Sequence, residues 1–235
     1  MTELERLGTD YGGWIVPQNM HLSSDSVMYS AGVGEDISFD LLISEKYDSN
    51  IFLIDPTHRA KVHYDEIFLY FYAGDHFSQS LLFSGDIQQD YHKIIGKLNP
   101  NIDKIKYIDL GLWDKKDVLK FYKQDNTKSV SQSFIDNMFG DDFDEVNVDS
   151  IKNIMELNNH DSIDLLKLDI EGAEIKVLNK MLDDKIYPKY LCVEFDLYIK
   201  GADKNNETEG LIQRLIDLKY QIIANDQLNI TFSRK

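Results

Sequence analysis

Residues Val27 to Asp36, Val-Met-Tyr-Ser-Ala-Gly-Val-Gly-Glu-Asp, decide the fold that the sequence predicts. A short apolar run ends there in Gly-x-Gly, two acids follow, and an apolar-periodic stretch begins at Ile37. This pattern predicts a strand, a tight turn and the start of a helix. Glycine has no Cβ, so a ligand can lie against the bare backbone of such a turn. Its place near the N-terminus predicts the first βα unit of a doubly wound sheet.

Composition narrows the class of protein. The chain has 235 residues, of which 43% are hydrophobic and 28% charged, and its formal net charge is −16. These values are typical of one globular domain with a sizeable core. The negative charge repels phosphate groups, so we expect neither nucleic acid nor an anionic membrane as a partner. No apolar run is long enough to cross a bilayer, and the first residues lack the apolar segment of a secretory signal. The single Cys192 excludes an internal disulfide, which favours a reduced, cytoplasmic setting.

From Val27 onward, predicted strands and helices alternate, which is typical of an α/β fold with a parallel sheet. We predict a mostly parallel seven-stranded sheet, an antiparallel closing hairpin and a β insertion before the fourth strand. Residues 1–26 are expected to form an N-terminal arm, and residues 27–235 a single domain. The stretch 65–103 shows a less regular pattern, with helical spacing over 85–98. The predicted strands are 27–31, 51–54, 105–110, 163–168, 190–195, 220–224 and 228–232, and the insertion contains short strands at 118–122 and 146–148.

Polar and acidic residues follow each of the first five predicted strands. In an open α/β sheet, ligands bind outside the carboxyl ends of the strands, so we expect these residues to line one site. They are Gly32, Gly34, Glu35 and Asp36 after the first strand, Asp55 after the second, Gly111 to Asp114 after the third, Asp169, Glu171 and Gly172 after the fourth, and Glu194 and Asp196 after the fifth.

Asp55 stands 23 residues after Gly32, at the end of the second predicted strand. A carboxylate at this interval can accept hydrogen bonds from both hydroxyls of a ribose, which implies an adenosine-type cofactor. The alternative is that Asp55-Pro56-Thr57 only caps the next helix.

The chemistry of the first turn selects among adenosine cofactors. The dinucleotide fingerprint requires a third glycine where this chain has Ile37, and Glu35 and Asp36 place negative charge where a pyrophosphate would bind. Acids at this point fit a ligand that has no phosphate and carries positive charge. S-adenosylmethionine, with its sulfonium and α-amino group, meets both conditions. The alternative for Glu35 and Asp36 is an ordinary complement to the helix dipole.

Several runs resemble the FkbM family of S-adenosylmethionine-dependent methyltransferases, in that family's order and from about Tyr11 to Phe232. The Lys-Leu-Asp-Ile-Glu-Gly-Ala-Glu run is the most specific, and Tyr11-Gly-Gly-Trp14 resembles one branch of the family. The resemblance implies a class I Rossmann-like methyltransferase fold and methylation of an oxygen on a sugar or natural product. The other runs are Tyr29-Ser-Ala-Gly-Val-Gly-Glu-Asp-Ile-Ser-Phe39, Ile54-Asp-Pro-Thr57, Ser129-Val-Ser131, Ile163-Asp-Leu-Leu and Val193-Glu-Phe195.

On this basis, Gly32, Gly34 and Glu35 are predicted to hold the methionine part of the cofactor, Asp55 the ribose, and Leu112 and Trp113 the adenine. Trp113 could equally be a core residue. Tyr11 and Trp14 of the arm could close over the site or simply pack on the core.

Asp169 and Glu194 are the predicted catalytic residues. Asp169 is expected nearest the transferred methyl, because it ends the central strand, where a side chain faces both cofactor and acceptor. It could act as a general base, with its pKa raised by burial or by Glu171 and Glu194, or as a ligand to a divalent metal with Glu194 or Asp196. The alternative for both Asp169 and Glu174 is that they merely cap the following helix. For Glu174 this structural role is the preferred interpretation. The chain has Gln132 and Asp196 where the related branch tends to have His, so its mechanism or substrate can differ.

The sequence therefore predicts an S-adenosylmethionine-dependent methyltransferase with a small-molecule or glycan acceptor. The run after the fourth strand does not resemble Asn-Pro-Pro-Tyr, which disfavours methylation of exocyclic amines on bases. Two rival functions are kept. A nicotinamide-dependent oxidoreductase is disfavoured by the missing third glycine and by the lack of a Tyr-x-x-x-Lys pair. A non-catalytic S-adenosylmethionine-binding module is suggested by Gln132 and Asp196. The identity of the acceptor, the need for a metal and the oligomeric state stay open.

Overall fold

The computed structural model describes residues 3–73, 89–123, 132–133, 143–196 and 206–235. In these ranges the chain forms thirteen strands and six α-helices. The strands are β1 Leu4–Leu7, β2 Trp14–Pro17, β3 Val27–Ala31, β4 Asn50–Ile54, β5 Ile105–Ile108, β6 Gly111–Leu112, β7 Asp117–Lys123, β8 Gln132–Ser133, β9 Phe143–Asp149, β10 Leu165–Leu168, β11 Tyr190–Glu194, β12 Tyr220–Asp226 and β13 Asn229–Arg234. The helices are α1 Ser38–Tyr47, α2 His58–Ala73, α3 Gln89–Ile95, α4 Ile151–Asn158, α5 Glu174–Asp183 and α6 Glu207–Asp217.

The main sheet has seven strands in the order β12-β13-β11-β10-β3-β4-β5. The five strands from β11 to β5 are parallel, and β13 pairs antiparallel with both β11 and β12. The predicted mostly parallel seven-stranded sheet with a closing antiparallel hairpin is therefore confirmed. Strand order reverses between β3 and β10, because the chain runs outward from β3 through β4 to β5 before it returns to β10. Such a reversal opens a crevice at the carboxyl ends of the two central strands.

The central strands are mostly apolar because helices cover both faces of the sheet. β3 pairs with β10 and β4, and four of its five residues are buried. Side chains that alternate along these strands enter two separate hydrophobic clusters. Tyr29, Leu166 and Leu168 belong to the cluster under α4, α5 and α6, whereas Met28 and Leu165 belong to the one under α1, α2 and α3.

The predicted β insertion is also confirmed. It forms a second sheet in the order β6-β9-β7-β8, in which β7 and β9 make an antiparallel pair and β6 runs parallel to β9. Phe121, Val146 and Val148 form a small core of this sheet. Gln132 contributes backbone to β8, whereas Ser129 and Ser131 lie outside the described residues.

The N-terminal residues form a hairpin in which β1 pairs antiparallel with β2, from Leu4 opposite Pro17 to Leu7 opposite Trp14. This hairpin packs against the end of the main sheet, where the Thr231 hydroxyl donates to the Ile15 carbonyl at 2.7 Å. The connecting residues Gly8–Gly13, called the hairpin tip below, reach the start of α1.

One prediction from the sequence is wrong. The stretch 65–73, interpreted as irregular, is the second half of α2, which continues to Ala73. Aromatic residues at Phe68, Tyr70, Phe71 and Tyr72 mask the helical pattern, since aromatics are weak helix formers and here lie on several sides of the helix. Within the described ranges, no helix combines the length and apolar character that a membrane span requires.

Candidate active site

A cavity of about 460 Å³ lies at the carboxyl ends of β3 and β10. Its volume is that of a typical small-molecule site. Phe121 of the β insertion forms part of its wall, and Tyr11 and Gly12 of the hairpin tip form another part. The remaining wall consists of residues 32–36, 54–57, 111–112, 167, 169–171, 194, 196 and 229, together with residue 10 of the hairpin tip.

The glycine turn, residues Gly32–Gly34, is built so that no side chain can stand at its first position. Gly32 has φ of +69°, and a Cβ placed on it would lie 1.6 Å from the carbonyl oxygen of Asp169. Its N–H donates to the Ile54 carbonyl at 3.0 Å, and the Asp169 N–H donates to the Ala31 carbonyl at 3.2 Å. The two loops after β3 and β10 are thus in direct backbone contact, and the cavity opens beside them.

Asp55 lies at the end of β4, is 4% exposed and lines the cavity. Its carboxylate accepts hydrogen bonds from the Gly34 N–H at 3.1 Å, and from the N–H and hydroxyl of Thr57 at 2.8 and 2.6 Å. Burial raises the pKa of this carboxyl group, and these hydrogen bonds oppose the rise. Asp55 therefore links the glycine turn to the segment before α2. It both stabilises the start of this helix, as the alternative interpretation proposed, and forms part of the cavity wall.

The two acids after the glycine turn have protein partners. Glu35 forms a bidentate ion pair with Arg59, at 3.0 Å to Nε and 2.7 Å to Nη2. Asp36 accepts a hydrogen bond from the Ser38 N–H at 2.9 Å and another from the Thr9 hydroxyl. Both also line the cavity. Asp36 thus supports the first turn of α1, as the alternative reading of these acids predicted, and joins it to the hairpin tip.

Lys167 was not assigned a role from the sequence, which placed it only within the predicted strand 163–168. The Lys167 side chain is 6% exposed and lines the cavity. Among the described residues of the cavity wall, it is the one that carries a positive charge. The ammonium donates to the Gly32 carbonyl at 2.7 Å and lies 3.6 Å from Asp169 Oδ2. The charge also acts on Asp40 of α1, a buried carboxyl group whose pKa is raised to about 6 by burial and lowered in part by Lys167. A lysine inside an otherwise apolar strand is the signal that could have identified it.

Asp169 and Glu194, the two predicted catalytic residues, lie together at the ends of β10 and β11. Their carboxyl groups are hydrogen-bonded, and both line the cavity. Burial, followed by the charge and hydrogen bond of Asp169, raises the pKa of Glu194 to about 9. A hydrogen bond between two carboxyl groups requires one of them to hold a proton, and the raised pKa assigns that proton to Glu194, which donates to Asp169.

The predicted metal candidates were Asp169, Glu194 and Asp196. Among the described residues, the acids whose oxygens could hold one ion are Asp169, Glu171 and Asp196, with one oxygen of each within 4.8 Å of the others. Carboxylate oxygens suit a hard divalent cation. The structure therefore groups Glu171, rather than Glu194, with the two aspartates. The backbone at Glu171 is left-handed, with φ of +55°.

Glu174, in contrast, has the structural role that sequence reasoning preferred. It is buried, and its Oε1 accepts hydrogen bonds from the N–H groups of Ile170 at 2.9 Å and Gly172 at 3.2 Å. Burial, and secondarily the charge of Asp196, raises its pKa to about 8. Glu174 thereby fixes the turn from Asp169 to Gly172, which carries the acids described above.

Leu112 and Trp113 differ in their placement. Leu112 is 1% exposed and lines the cavity, as expected for a residue near the adenine. Trp113 lies instead in a second, more open cavity beside α5 and α6, where its ring is 4.4 Å from the Lys176 ammonium. Its predicted contact with adenine gains no support from this position.

Comparison with known proteins gives one result. The profile of a protein family described as the methyltransferase FkbM domain matches residues 16–222. This range covers most of the chain and includes every predicted catalytic and cofactor-binding residue. None of the curated proteins compared with the chain matches it significantly.

Proposed function

Because the chain belongs to the FkbM methyltransferase family, we propose that it transfers a methyl group from S-adenosylmethionine to a hydroxyl of a sugar, glycan or small natural product. The observation that carries the proposal is the meeting of the glycine turn and Asp169 at one cavity of about 460 Å³. The strand order, with its reversal between β3 and β10, supports a class I Rossmann-like arrangement.

The donor side of the cavity comprises Gly32, Gly34, Asp55 and Leu112. The bare backbone of the glycine turn leaves room for the methionine part, and the carboxylate of Asp55 can accept from the ribose hydroxyls. Leu112 offers an apolar surface for the adenine. Asp55 is held by Thr57 and Gly34, so its oxygens are oriented before a ligand arrives. When bound, S-adenosylmethionine supplies an electrophilic methyl group.

The acceptor side comprises Asp169 and Glu194. A carboxylate at Asp169 can accept the hydrogen bond of an acceptor hydroxyl and take its proton as the oxygen becomes a nucleophile. Glu194, which holds the proton of the hydrogen bond between the two carboxyl groups, donates to Asp169 and stabilises its negative charge. Alignment of donor and acceptor supplies a further part of the rate, because methyl transfer depends strongly on proximity.

A divalent metal is the second proposed means of activating the hydroxyl. Asp169, Glu171 and Asp196 would be its ligands, and the ion would lower the pKa of a bound hydroxyl. The two means differ in one measurable respect. A metal-dependent enzyme loses turnover in a chelator and regains it with Mg²⁺, whereas an enzyme that uses Asp169 as base is unaffected.

The experiment that tests the function is transfer of a labelled methyl group to a panel of sugars and lipid-linked glycans. Wild type is expected to label at least one acceptor, and Asp169→Asn to lower the rate by about 100-fold or more, the usual contribution of a general base. Asp161→Asn, an exposed residue of the loop before β10, is the matched control. Cofactor binding without labelling of any acceptor would instead favour a non-catalytic S-adenosylmethionine-binding module.

A further inference from the structure

The hairpin tip holds its backbone in a form that only glycine permits at two positions. The Gly13 N–H donates to the Thr9 carbonyl at 3.0 Å. A Cβ on Gly13 would lie 2.3 Å from the Thr9 carbonyl oxygen, and one on Gly8 would lie 2.6 Å from the Gly13 Cα. These contacts are with backbone, so neither position can relax easily. The tip is therefore a fixed turn.

Thr9 attaches this turn to the start of α1. Its N–H donates to the Ser38 hydroxyl at 2.9 Å, and its own hydroxyl donates to the Asp36 carboxylate. The same hydroxyl oxygen accepts from the N–H groups of Tyr11 at 3.2 Å and Gly12 at 2.9 Å. Gly12 packs so close to Asp36 that a Cβ would lie 2.7 Å from its carboxyl carbon. The position of Tyr11 relative to the glycine turn is thus set by a chain of hydrogen bonds.

The backbone of Tyr11 is held by the hairpin tip, but its side chain is not part of the hydrophobic core. Its side chain is 62% exposed, whereas Trp14, the other aromatic residue of the Tyr-Gly-Gly-Trp run, is 2% exposed and packs in the core. Tyr11 also lines the cavity. Of the two residues proposed as a cover, Trp14 therefore packs on the core and Tyr11 faces the site. Tyr11 therefore places an uncovered aromatic side chain, carried by a rigid turn, in the wall of the cavity, and aromatic side chains commonly line cavities that bind small molecules.

The groups around Tyr11 indicate what kind of ligand this is. Partial burial, and then the charges of Asp169, Glu171, Glu194 and Asp36, raise the pKa of the Tyr11 hydroxyl, so the phenol lies in the field of these acids. Each of the acids also lines the cavity. An aromatic face combined with carboxylates attracts a cation that carries methyl groups, as in aromatic cages for quaternary ammonium ions.

We propose that Tyr11 is a specificity-determining residue that recognises the positive sulfonium of S-adenosylmethionine and so distinguishes the donor from its neutral thioether product, S-adenosylhomocysteine. The inference rests on the proposed use of S-adenosylmethionine. Methyl transfer removes the positive charge that the ring and the acids attract. The site therefore holds the donor more tightly than the product, which assists product release.

Calorimetric titration of both S-adenosylmethionine and S-adenosylhomocysteine into wild type, Tyr11→Leu and Tyr11→Phe tests this. Tyr11→Leu is expected to raise the Kd of S-adenosylmethionine by about 3- to 30-fold, and that of S-adenosylhomocysteine by less than about twofold. Tyr11→Phe keeps the ring and is expected to keep the ratio of the two Kd values. Tyr72→Leu, which alters a tyrosine 75% exposed on α2 and outside the cavity, is the matched control.

Equal weakening of both ligands by Tyr11→Leu, or no weakening of either, would overturn the role of Tyr11, because the ring would then not sense the sulfonium charge. Failure of wild type to bind both ligands is a different result. It would reject the proposed donor itself, and the inference with it. Thermal unfolding of each variant is the control for folding. Each variant is expected to unfold cooperatively, because only exposed side chains are changed.

Discussion

Gly32 and Asp169 meet backbone to backbone: a Cβ on Gly32 would lie 1.6 Å from the Asp169 carbonyl oxygen. The two residues are 137 positions apart in the chain, yet each directly follows one of two adjacent parallel strands, β3 and β10. This contact places the loop assigned to the donor against the loop assigned to the acceptor. The geometry of the proposed reaction therefore depends on a glycine at this position.

Gly32→Ala is accordingly expected to destabilise the protein by at least about 3 kcal/mol, since alanine combines an unfavourable positive φ with a backbone clash. Urea unfolding measures the change. The control is Gly210→Ala in α6, where an added Cβ meets nothing within 4 Å and is expected to stabilise the helix by about 0.5–1 kcal/mol. If Gly32→Ala is as stable as wild type, the backbones of Gly32 and Asp169 are not as close as in this structure.

Asp55 provides the second prediction. Asp55→Ala is expected to weaken S-adenosylmethionine binding by about 1–3 kcal/mol, the usual loss for a charged hydrogen-bond acceptor. Because Asp55 also bonds Gly34 and Thr57, Asp55→Asn serves to separate loss of charge from loss of the side chain. Asp65→Asn, on the exposed Lys61–Asp65 pair of α2, is the control. If calorimetry gives a folded Asp55→Ala protein the same affinity for S-adenosylmethionine as wild type, Asp55 does not bind this ligand.

Lys167 provides the third prediction, which concerns stability. Lys167→Met is expected to cost about 3–5 kcal/mol, because it leaves the buried Asp40 and the Gly32 carbonyl without their cation. Addition of Asp40→Asn to this variant is expected to restore part of the loss, since the uncompensated carboxylate is then gone. Urea unfolding of the four proteins of this double-mutant cycle gives the coupling energy. Lys61→Met, at the exposed Lys61–Asp65 pair, is expected to change stability by less than about 1 kcal/mol. Strictly additive effects of the Lys167 and Asp40 changes would contradict the proposed charge compensation.

The sequence predicted the central sheet well because its strands have a simple physical signature. The predicted strand 27–31 has the bounds of β3, and 163–168 contains β10. Both are buried by helices on two faces, so they read as mostly apolar runs between polar turns. The acids after these strands also lie at one cavity, since the carboxyl ends of parallel strands share one edge of the sheet.

Side-chain directions could not be predicted in the same way. Trp113 follows β6 and turns toward α5, although Leu112 beside it lines the cavity. Glu171 joins Asp169 and Asp196 from a turn whose backbone is left-handed at this residue, which the sequence did not indicate. Lys167 is one residue of the predicted strand 163–168, and its electrostatic interaction with the buried Asp40 of α1 follows only from how α1 packs on that strand. These relationships depend on which elements pack together, and a single sequence does not contain that information.

Glu174 provides a prediction about pH. Its pKa rises from 4.5 to about 8 in the folded protein, so the folded state keeps a proton that the unfolded chain releases. The stabilisation from this proton is full below about pH 4.5 and is lost as pH rises through about 8, at up to roughly 1.4 kcal/mol per pH unit. Stability is therefore expected to fall between these values.

Urea unfolding of wild type and Glu174→Gln from pH 5 to about pH 8 tests this, because glutamine keeps the hydrogen-bond acceptor and cannot titrate. The variant is expected to show a smaller decline, and the exposed Glu209→Gln the same decline as wild type. The stability of both wild type and Glu174→Gln is still expected to depend on pH to some degree, because the pKa values of Asp40 and Glu194 are also raised in both proteins. Parallel profiles for wild type and Glu174→Gln would contradict the buried, protonated state of Glu174.

The most direct test of the central claim, that the cavity binds S-adenosylmethionine, is calorimetric titration of wild type with S-adenosylmethionine and, separately, with NAD. The account predicts saturable binding of S-adenosylmethionine at one site and no heat of binding for NAD, because the acids after the glycine turn disfavour a pyrophosphate. Binding of NAD without binding of S-adenosylmethionine would contradict it and would support a nicotinamide-dependent oxidoreductase.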